Sequence, residues 1–257
     1  MAILSISSVV VAATLIIITT AFLRLLYVIS PDSRRPPIKK KDEPSHIVVV
    51  LGSGGHTAEM ISLLRDTNVA RYKHRTYIVS AGDDFSSTKA HDCEERIQSK
   101  LRPSLPCTKS GEFDSTTGIW DLIVVPRARE IHQRLYTAPI SSFWCMLGCL
   151  KALYTISTTS TIHQQYPDVI ITNGPATAVI MILASFLLKF LGLAPIWKMQ
   201  TIYVESWARV KTLSLSGKIL LWLGIYDRFL VQWEGLAKQL NGDNARKRVE
   251  WRGFLVH

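Results

Sequence analysis

From His46 onward, short runs of β-branched and aromatic residues recur, separated by longer stretches at helical spacing. The runs are 46–51 (HIVVVL), 75–80 (RTYIVS), 121–126 (DLIVVP), 168–173 (DVIITN), 201–206 (TIYVES) and 228–233 (RFLVQW). Few folds accept that pattern. A strand with one wet face alternates apolar and polar residues, whereas these runs are nearly continuous, as in parallel strands covered on both faces. Parallel strands need crossover connections, and the patterns at 57–65, 140–162, 177–191 and 214–223 supply helices for them. The expectation over residues 46–257 is an α/β fold with a doubly wound, mostly parallel sheet. Ligands of such sheets bind outside the carboxyl ends of the strands.

Met1–Leu23 carries no charged side chain. As a helix it covers roughly 35 Å, enough to cross a bilayer. A cleaved signal peptide expects positive charge ahead of its apolar run, yet Arg24, Arg34, Arg35, Lys39, Lys40 and Lys41 all follow it. Positive charge stays on the cytoplasmic side. Residues 1–29 are therefore expected to form one transmembrane anchor, with the N-terminus outside or lumenal and the body in the cytosol. Residues 30–45, with Pro31, Pro36, Pro37 and Pro44, read as an extended basic linker lying against anionic headgroups. The apolar stretch 178–188 is too short for a second span and reads as a buried crossover helix. The stretch 140–156 (ISSFWCMLGCLKALYTI) packs into a core or rests one face on the membrane.

The 257 residues leave room for the anchor plus one domain of about 200 residues. A net charge of +10 admits nucleic acid, anionic lipid or phosphorylated substrates as partners. A nucleic-acid surface would need a basic helix or interleaved aromatics, and neither occurs. Cys93, Cys107, Cys145 and Cys149 form no Cys-x-x-Cys pair and have no partnering histidine cluster, so no metal is expected. Free thiols in a reducing compartment fit them better. No Asn-x-Ser/Thr acceptor is present.

The first strand runs into Gly52, Ser53, Gly54, Gly55, His56 and Thr57. Glycine allows positive φ and close approach of backbone to a ligand, and a helix N-terminus offers unpaired N–H groups and partial positive charge. Together these suit a phosphate, and His56 adds a group that hydrogen-bonds or accepts a proton near neutral pH. Plain turn chemistry is the simpler account of the same glycines. A dinucleotide fingerprint, G-x-G-x-x-G, would put its third glycine where Thr57 stands, with Asp83 or Asp84 as the ribose acid. Later strand ends add candidates. PRARE (126–130) brings Arg127 and Arg129, suited to phosphate oxygens or to a solvated basic loop. TNGPATA (172–178) presents Asn173 and Gly174, a second turn that could hold a ligand or only reverse the chain. YVESWARV (203–210) places Glu205 as a base, a sugar-hydroxyl acceptor, or the partner of a salt bridge to Arg209.

The set LGSGGHTAEM, PRARE, TNGPATA, YVESWARV, SLSGK and DRFLVQW, in this order behind an N-terminal anchor, resembles one family across essentially the whole chain. That family is the membrane-anchoring subunit of the endoplasmic-reticulum UDP-N-acetylglucosamine transferase that adds the second GlcNAc of the dolichol-linked oligosaccharide. The glycine turn is more distantly similar to that of bacterial lipid II synthase. The resemblance implies the N-terminal, acceptor-side half of a GT-B glycosyltransferase, with a soluble UDP-GlcNAc-binding partner as the other half, no cofactor, and no activity alone. It implies an endoplasmic-reticulum or contiguous nuclear-envelope membrane. After residue 233 too little chain remains for a second nucleotide-binding domain. The apolar end, with Phe254, Leu255 and Val256, is expected to dock on the partner. The family pattern Asn-Gly-Pro-Gly is broken here by Ala176.

The implied reaction moves GlcNAc to the 4-hydroxyl of GlcNAc-diphospho-dolichol with inversion. It needs a held acceptor, a base and a stabilised leaving group. Ser53, Gly54, Gly55 and Thr57 are expected to hold the acceptor diphosphate, with Arg127, Arg129, Asn173 and Gly174 nearby. His56 and Glu205 are the candidate bases. Two other readings stay open: a non-catalytic membrane scaffold for the soluble partner, and an anchored nicotinamide-dependent oxidoreductase.

Overall fold

The computed structural model describes residues 2–37, 43–65, 67–69, 71–101, 118–130, 133–134, 136–159, 165–174, 176–242 and 248–255. Cys107, Lys39, Lys40, Lys41 and Val256 lie outside these residues, as does the end of the helix expected to reach 162. Seven parallel strands form one sheet in the order β3-β2-β1-β4-β5-β6-β7. They are β1 (His46–Val50), β2 (His74–Ser80), β3 (Ile119–Val125), β4 (Val169–Asn173), β5 (Gln200–Val204), β6 (Arg228–Val231) and β7 (Glu250–Trp251). The helices are α1 (Ala2–Ile29), α2 (Gly55–Leu63), α3 (Asp84–Leu101), α4 (Ala138–Thr159), α5 (Ala176–Phe190), α6 (Leu215–Leu223) and α7 (Glu234–Asn241).

Side chains alternate across a strand, so a strand buried on both faces must be apolar throughout. In β1, Val48 and Val50 join Ile78 and Ile170 on one face, against Cys145, Cys149 and Leu153 of α4 and Met181 and Leu188 of α5. Ile47 and Val49 face the other way with Tyr77 and Val79, against Met60 of α2 and Ala90, Cys93 and Ile97 of α3. A third cluster gathers α5, α6 and α7 around Tyr203 and Phe229. The expected doubly wound sheet is present, with its strands within about two residues of the expected bounds.

Three elements were not expected. α3 is polar overall. Its buried stripe runs Ser86, Ala90, Cys93, Glu94 and Ile97, and two of those five are polar, which hides the helical period. Glu94 is tolerated inside because Arg75 grips it from β2, with Nε 2.8 Å from Oε1 and Nη2 2.7 Å from Oε2, and the Tyr77 hydroxyl donates to Oε1 at 2.7 Å. α7 is one short amphipathic element, and β7 is a two-residue addition to β6.

Residues 7–23 of α1 are exposed, Val28 near its end is buried, and Ser7–Ile29 is long and apolar enough to cross a membrane. α4 also passes on length and composition, but Cys145, Cys149, Ala152, Leu153 and Ile156 pack it into the core. Its other face shows Ile140, Phe143, Trp144, Leu147 and Tyr154 to solvent, so the core-packing reading of 140–156 holds for the inward half of the helix. The linker differs from the extended tether expected of its prolines. Arg24 donates to the carbonyls of Lys189 and Phe190 at 2.8 and 3.1 Å, satisfying acceptors at the end of α5. Arg34 donates to Tyr226 O at 2.9 Å and pairs with Asp227 at 3.1 Å, while Gln200 donates to Arg34 O at 2.8 Å. Residues 30–37 are thus fastened to the domain by specific bonds that composition does not reveal.

Candidate functional site

The chain builds outward from β1 to β2 and β3, then returns to place β4 on the other side of β1. α2 and α5 consequently leave β1 and β4 on opposite faces of the sheet. The crevice between them is the switch point at which such sheets bind ligands.

At the β1 side, Gly54 has φ +59° and ψ −120°, a region L side chains rarely adopt, and it leads α2 without any side-chain cap. The N–H groups of Thr57 and Ala58 turn back to Gly54 O at 3.1 and 3.3 Å. Those of Gly55 and His56 are left as the unpaired donors at the head of the helix among the described residues. Ser53, Gly54 and Gly55 are exposed, and a Cβ on either glycine would meet nothing within 4 Å. The turn is open space lined by backbone donors. Thr57 does not contribute its side chain to that space. It is buried, and its hydroxyl reaches back to Gly52 O and lies 2.6 Å from the Ser86 hydroxyl. Asp83 accepts from Ser86 N–H at 3.1 Å and from its hydroxyl at 2.7 Å, so this carboxylate caps α3 and is not free for a ribose.

At the β4 side, Gly174 has φ +86°, and a Cβ there would lie 2.6 Å from His56 Cγ. The imidazole is packed flat on the glycine backbone. His56 Nδ1 is 3.2 Å from Asn173 Oδ1, and Asn173 Nδ2 donates to Glu59 Oε2 at 2.8 Å. The Ser206 hydroxyl, from the end of β5, donates to Glu59 Oε1 at 2.7 Å. Three strand ends and the first turns of α2 thereby converge on one histidine whose side chain is about one third exposed (36%).

Glu205, at the end of β5, is a buried carboxylate. It is 1% exposed. Its Oε1 accepts from Ser206 N–H at 3.2 Å, and its Oε2 accepts from the Ser214 N–H and hydroxyl at 3.1 and 3.0 Å. Burial pushes its carboxyl up from the ordinary range, and the bonds from Ser214 oppose that shift. Ser214 caps α6 by accepting from Gly217 N–H at 3.0 Å, and a Cβ on Gly217 would sit 2.2 Å from Glu205 Oε2. The carboxylate holds the head of α6. The alternative expectation, an ion pair with Arg209, is not among the ion pairs of the described residues.

Arg127 and Arg129 follow β3, two strands from the crevice. Arg127 donates to Ala81 O and Gly82 O at 2.7 and 3.1 Å, and Arg129 donates to Gln133 O at 3.0 and 3.3 Å. Both guanidiniums brace turns at the rim. Ala176 opens α5, half-buried against the α4–α5 core. Phe254 is 51% exposed and stands edge-on to Trp233 at 5.1 Å, whose indole donates to Trp207 O at 2.6 Å. Leu255 N–H donates to Gln232 Oε1 at 3.0 Å. Among the described residues no three His, Cys, Asp or Glu side chains are grouped as metal ligands.

The family model for oligosaccharide biosynthesis protein Alg14 like matches residues 47–255, which takes in every strand end just described. The chain belongs to the Alg14 family. A Schizosaccharomyces pombe protein of the family, a UDP-N-acetylglucosamine transferase subunit alg14, is 39% identical over 211 residues, 82% of this chain and 83% of its own length. An Aspergillus fumigatus protein of the same description is 38% identical over 234 residues, 77% of this chain and 100% of its own. The Mus musculus UDP-N-acetylglucosamine transferase subunit ALG14 is 34% identical over 195 residues, 75% of this chain and 77% of its own.

Glu59, Ser206 and Ser214 were not singled out from the sequence. Glu59 carried one signal, because position i+3 from His56 shares its helix face. Ser214 carried another, as a serine at the head of an apolar helical run, whereas Ser206 carried none, since Glu59 reaches it only through the sheet.

Proposed function

We propose that this chain is the membrane-anchoring, acceptor-binding subunit of a two-chain N-acetylglucosaminyltransferase. It would move GlcNAc from UDP-GlcNAc to GlcNAc-diphospho-dolichol on the cytosolic face of the endoplasmic-reticulum membrane or contiguous nuclear envelope. Residues 1–29 span the bilayer with the N-terminus lumenal, and a soluble partner brings the UDP-GlcNAc. The observation that carries the reading is the uncapped head of α2 beside a histidine seated on Gly174 at the switch point. Membership of a family whose members are named transferase subunits supports the reaction class.

In this reading the N–H groups of Gly55 and His56, with the open backbone at Ser53 and Gly54, bind the acceptor diphosphate through hydrogen bonds and the helix dipole. His56 takes the proton from the sugar 4-hydroxyl as its oxygen bonds to the anomeric carbon of the donor. The bond from that carbon to the UDP oxygen breaks on the opposite side, and UDP leaves with the electron pair into the partner's half. Glu205, buried and fully engaged, secures α6. Phe254 and Leu255 give the partner an apolar contact beside this edge of the sheet.

The test is transfer of labelled GlcNAc in purified membranes, with this chain alone and with its soluble partner. Activity only with both supports a half-enzyme, and His56→Ala is then expected to lose at least about tenfold in turnover with insertion intact. A Gly55→Val variant that assembles normally yet is inactive separates this from a pure scaffold, for which assembly and activity survive or fail together. Deletion of residues 254–257 is expected to weaken co-purification of the partner, and an unaltered complex refutes that contact.

A further inference from the structure

The buried carboxylate of Glu59 has no part in the reaction as written, yet a single side chain, that of Asn173, links it to the histidine. A carboxylate only accepts hydrogen bonds, so the Asn173 atom 2.8 Å from Glu59 Oε2 is the amide nitrogen. A flipped amide would set two oxygens against each other. Asn173 Oδ1 is thereby turned toward His56, 3.2 Å from Nδ1, where it too can only accept. The ring must carry its hydrogen on Nδ1, which leaves the lone pair of the neutral imidazole on Nε2. Glu59 itself is held by the Ser206 hydroxyl on its other oxygen at 2.7 Å and is 7% exposed. At 3.9 Å from Nδ1 its Oε2 is beyond hydrogen-bond reach of the ring, so it acts through the amide.

We infer that Glu59 is a positioning residue that sets the tautomer of His56 by fixing the orientation of the Asn173 side chain. This rests on the assignment of His56 as the base. Without the carboxylate, Asn173 can rotate and present N–H to Nδ1. That arrangement stabilises hydrogen on Nε2, where the acceptor hydroxyl has to deliver its own proton. Gly174 fixes the plane of the ring, and Glu59 fixes which nitrogen is free.

The experiment uses the full chain assembled with its soluble partner, labelled with 15N-histidine, with the His56 resonances assigned by their loss in His56→Ala. In the unaltered protein Nε2 is expected to be pyridine-type and Nδ1 pyrrole-type. In Glu59→Gln the Nε2 signal is expected to move toward the pyrrole-type position. kcat should fall about tenfold or more while acceptor KM stays within about twofold. Asn173→Ala gives the second arm should Glu59→Gln fold poorly, with mixed tautomers and the same kcat loss. A pyrrole-type Nε2 in the unaltered protein, or a pyridine-type Nε2 retained in both variants, overturns the inference. Normal transfer by His56→Ala alongside a tautomer shift in Glu59→Gln sinks the base assignment instead, and leaves the positioning of the ring standing.

Discussion

Replacing Gly174 by alanine tests the seat of the histidine directly. The added Cβ would lie 2.6, 2.7 and 2.9 Å from Cγ, Nδ1 and Cδ2 of His56, against an ordinary contact of 3.4 Å or more. The ring must retreat by roughly 0.8 Å, the difference between 3.4 and 2.6 Å. Its 3.2 Å approach to Asn173 is lost or bent in doing so. A misplacement of about 1 Å in a reacting group costs on the order of 100-fold in rate. Alanine at φ +86° also carries strain of about 1–3 kcal/mol. At roughly 2–4 °C per kcal/mol for a domain this size, that lowers Tm by roughly 2–12 °C. Gly242→Ala separates the two effects, because Gly242 has φ +49° but open space around its Cβ and lies outside the site. It is expected to lose stability to a similar extent and to keep its transfer rate. The assays are thermal melting and transfer kinetics of the assembled complex. A Gly174→Ala protein that melts lower yet transfers within about twofold of the unaltered rate would falsify the claim that this glycine seats the base.

Three further outcomes follow from other parts of the molecule. Glu94→Gln leaves Arg75, 3% exposed at its side chain, without its carboxylate, and is expected to cost about 3–5 kcal/mol in denaturant unfolding; a loss below about 1 kcal/mol would show the pair to be dispensable. Burial, reinforced by His74, holds His46 down at about 3 from 6.5. The folded state thus prefers the neutral ring, and its contribution is complete above about pH 6.5 and is lost as pH falls toward 3, at up to about 1.4 kcal/mol per pH unit. His46→Gln should therefore flatten the stability profile between pH 6 and 4 (roughly the middle of that window), and an unchanged slope would remove His46 as its source. Finally, if the exposed face of α4 meets lipid, a Phe143→Ser, Trp144→Ser double variant should lower transfer to a long-chain acceptor several-fold and spare a short-chain soluble one. Equal effects on both acceptors would return α4 to a purely structural role.

The parallel sheet, its crossover helices and the glycine turn were legible because two-sided burial demands uninterrupted apolar runs, and a sharp strand-to-helix turn at positive φ favours glycine. The long apolar helix at the N-terminus was legible for a similar reason, since residues 1–23 carry no charged side chain. What stayed hidden were elements whose buried faces include polar groups. α3 escaped because Glu94 reads as a surface residue until Arg75 and Tyr77 are placed against it. The linker read as a free tether because nothing local shows that Arg34 finds Asp227.

The site divides along the same line. Sequence alone determined which residues line the strand ends, because motifs at the ends of consecutive parallel strands are carried to one edge of the sheet by topology. It named His56, Asn173, Gly174 and Glu205 together, but could not assign their work. Only the tertiary structure decided that Glu205 is buried under Ser214 while His56 stays open, that Thr57 turns inward, and that Glu59 reaches Asn173. Periodicity fixes the face on which a side chain emerges, and that much is local. Whether a carboxylate there meets solvent, a serine or an amide depends on its partners, nine residues away for Glu205 but 114 and 147 residues away for Glu59, and the latter are set by the order and register in which the strands pair.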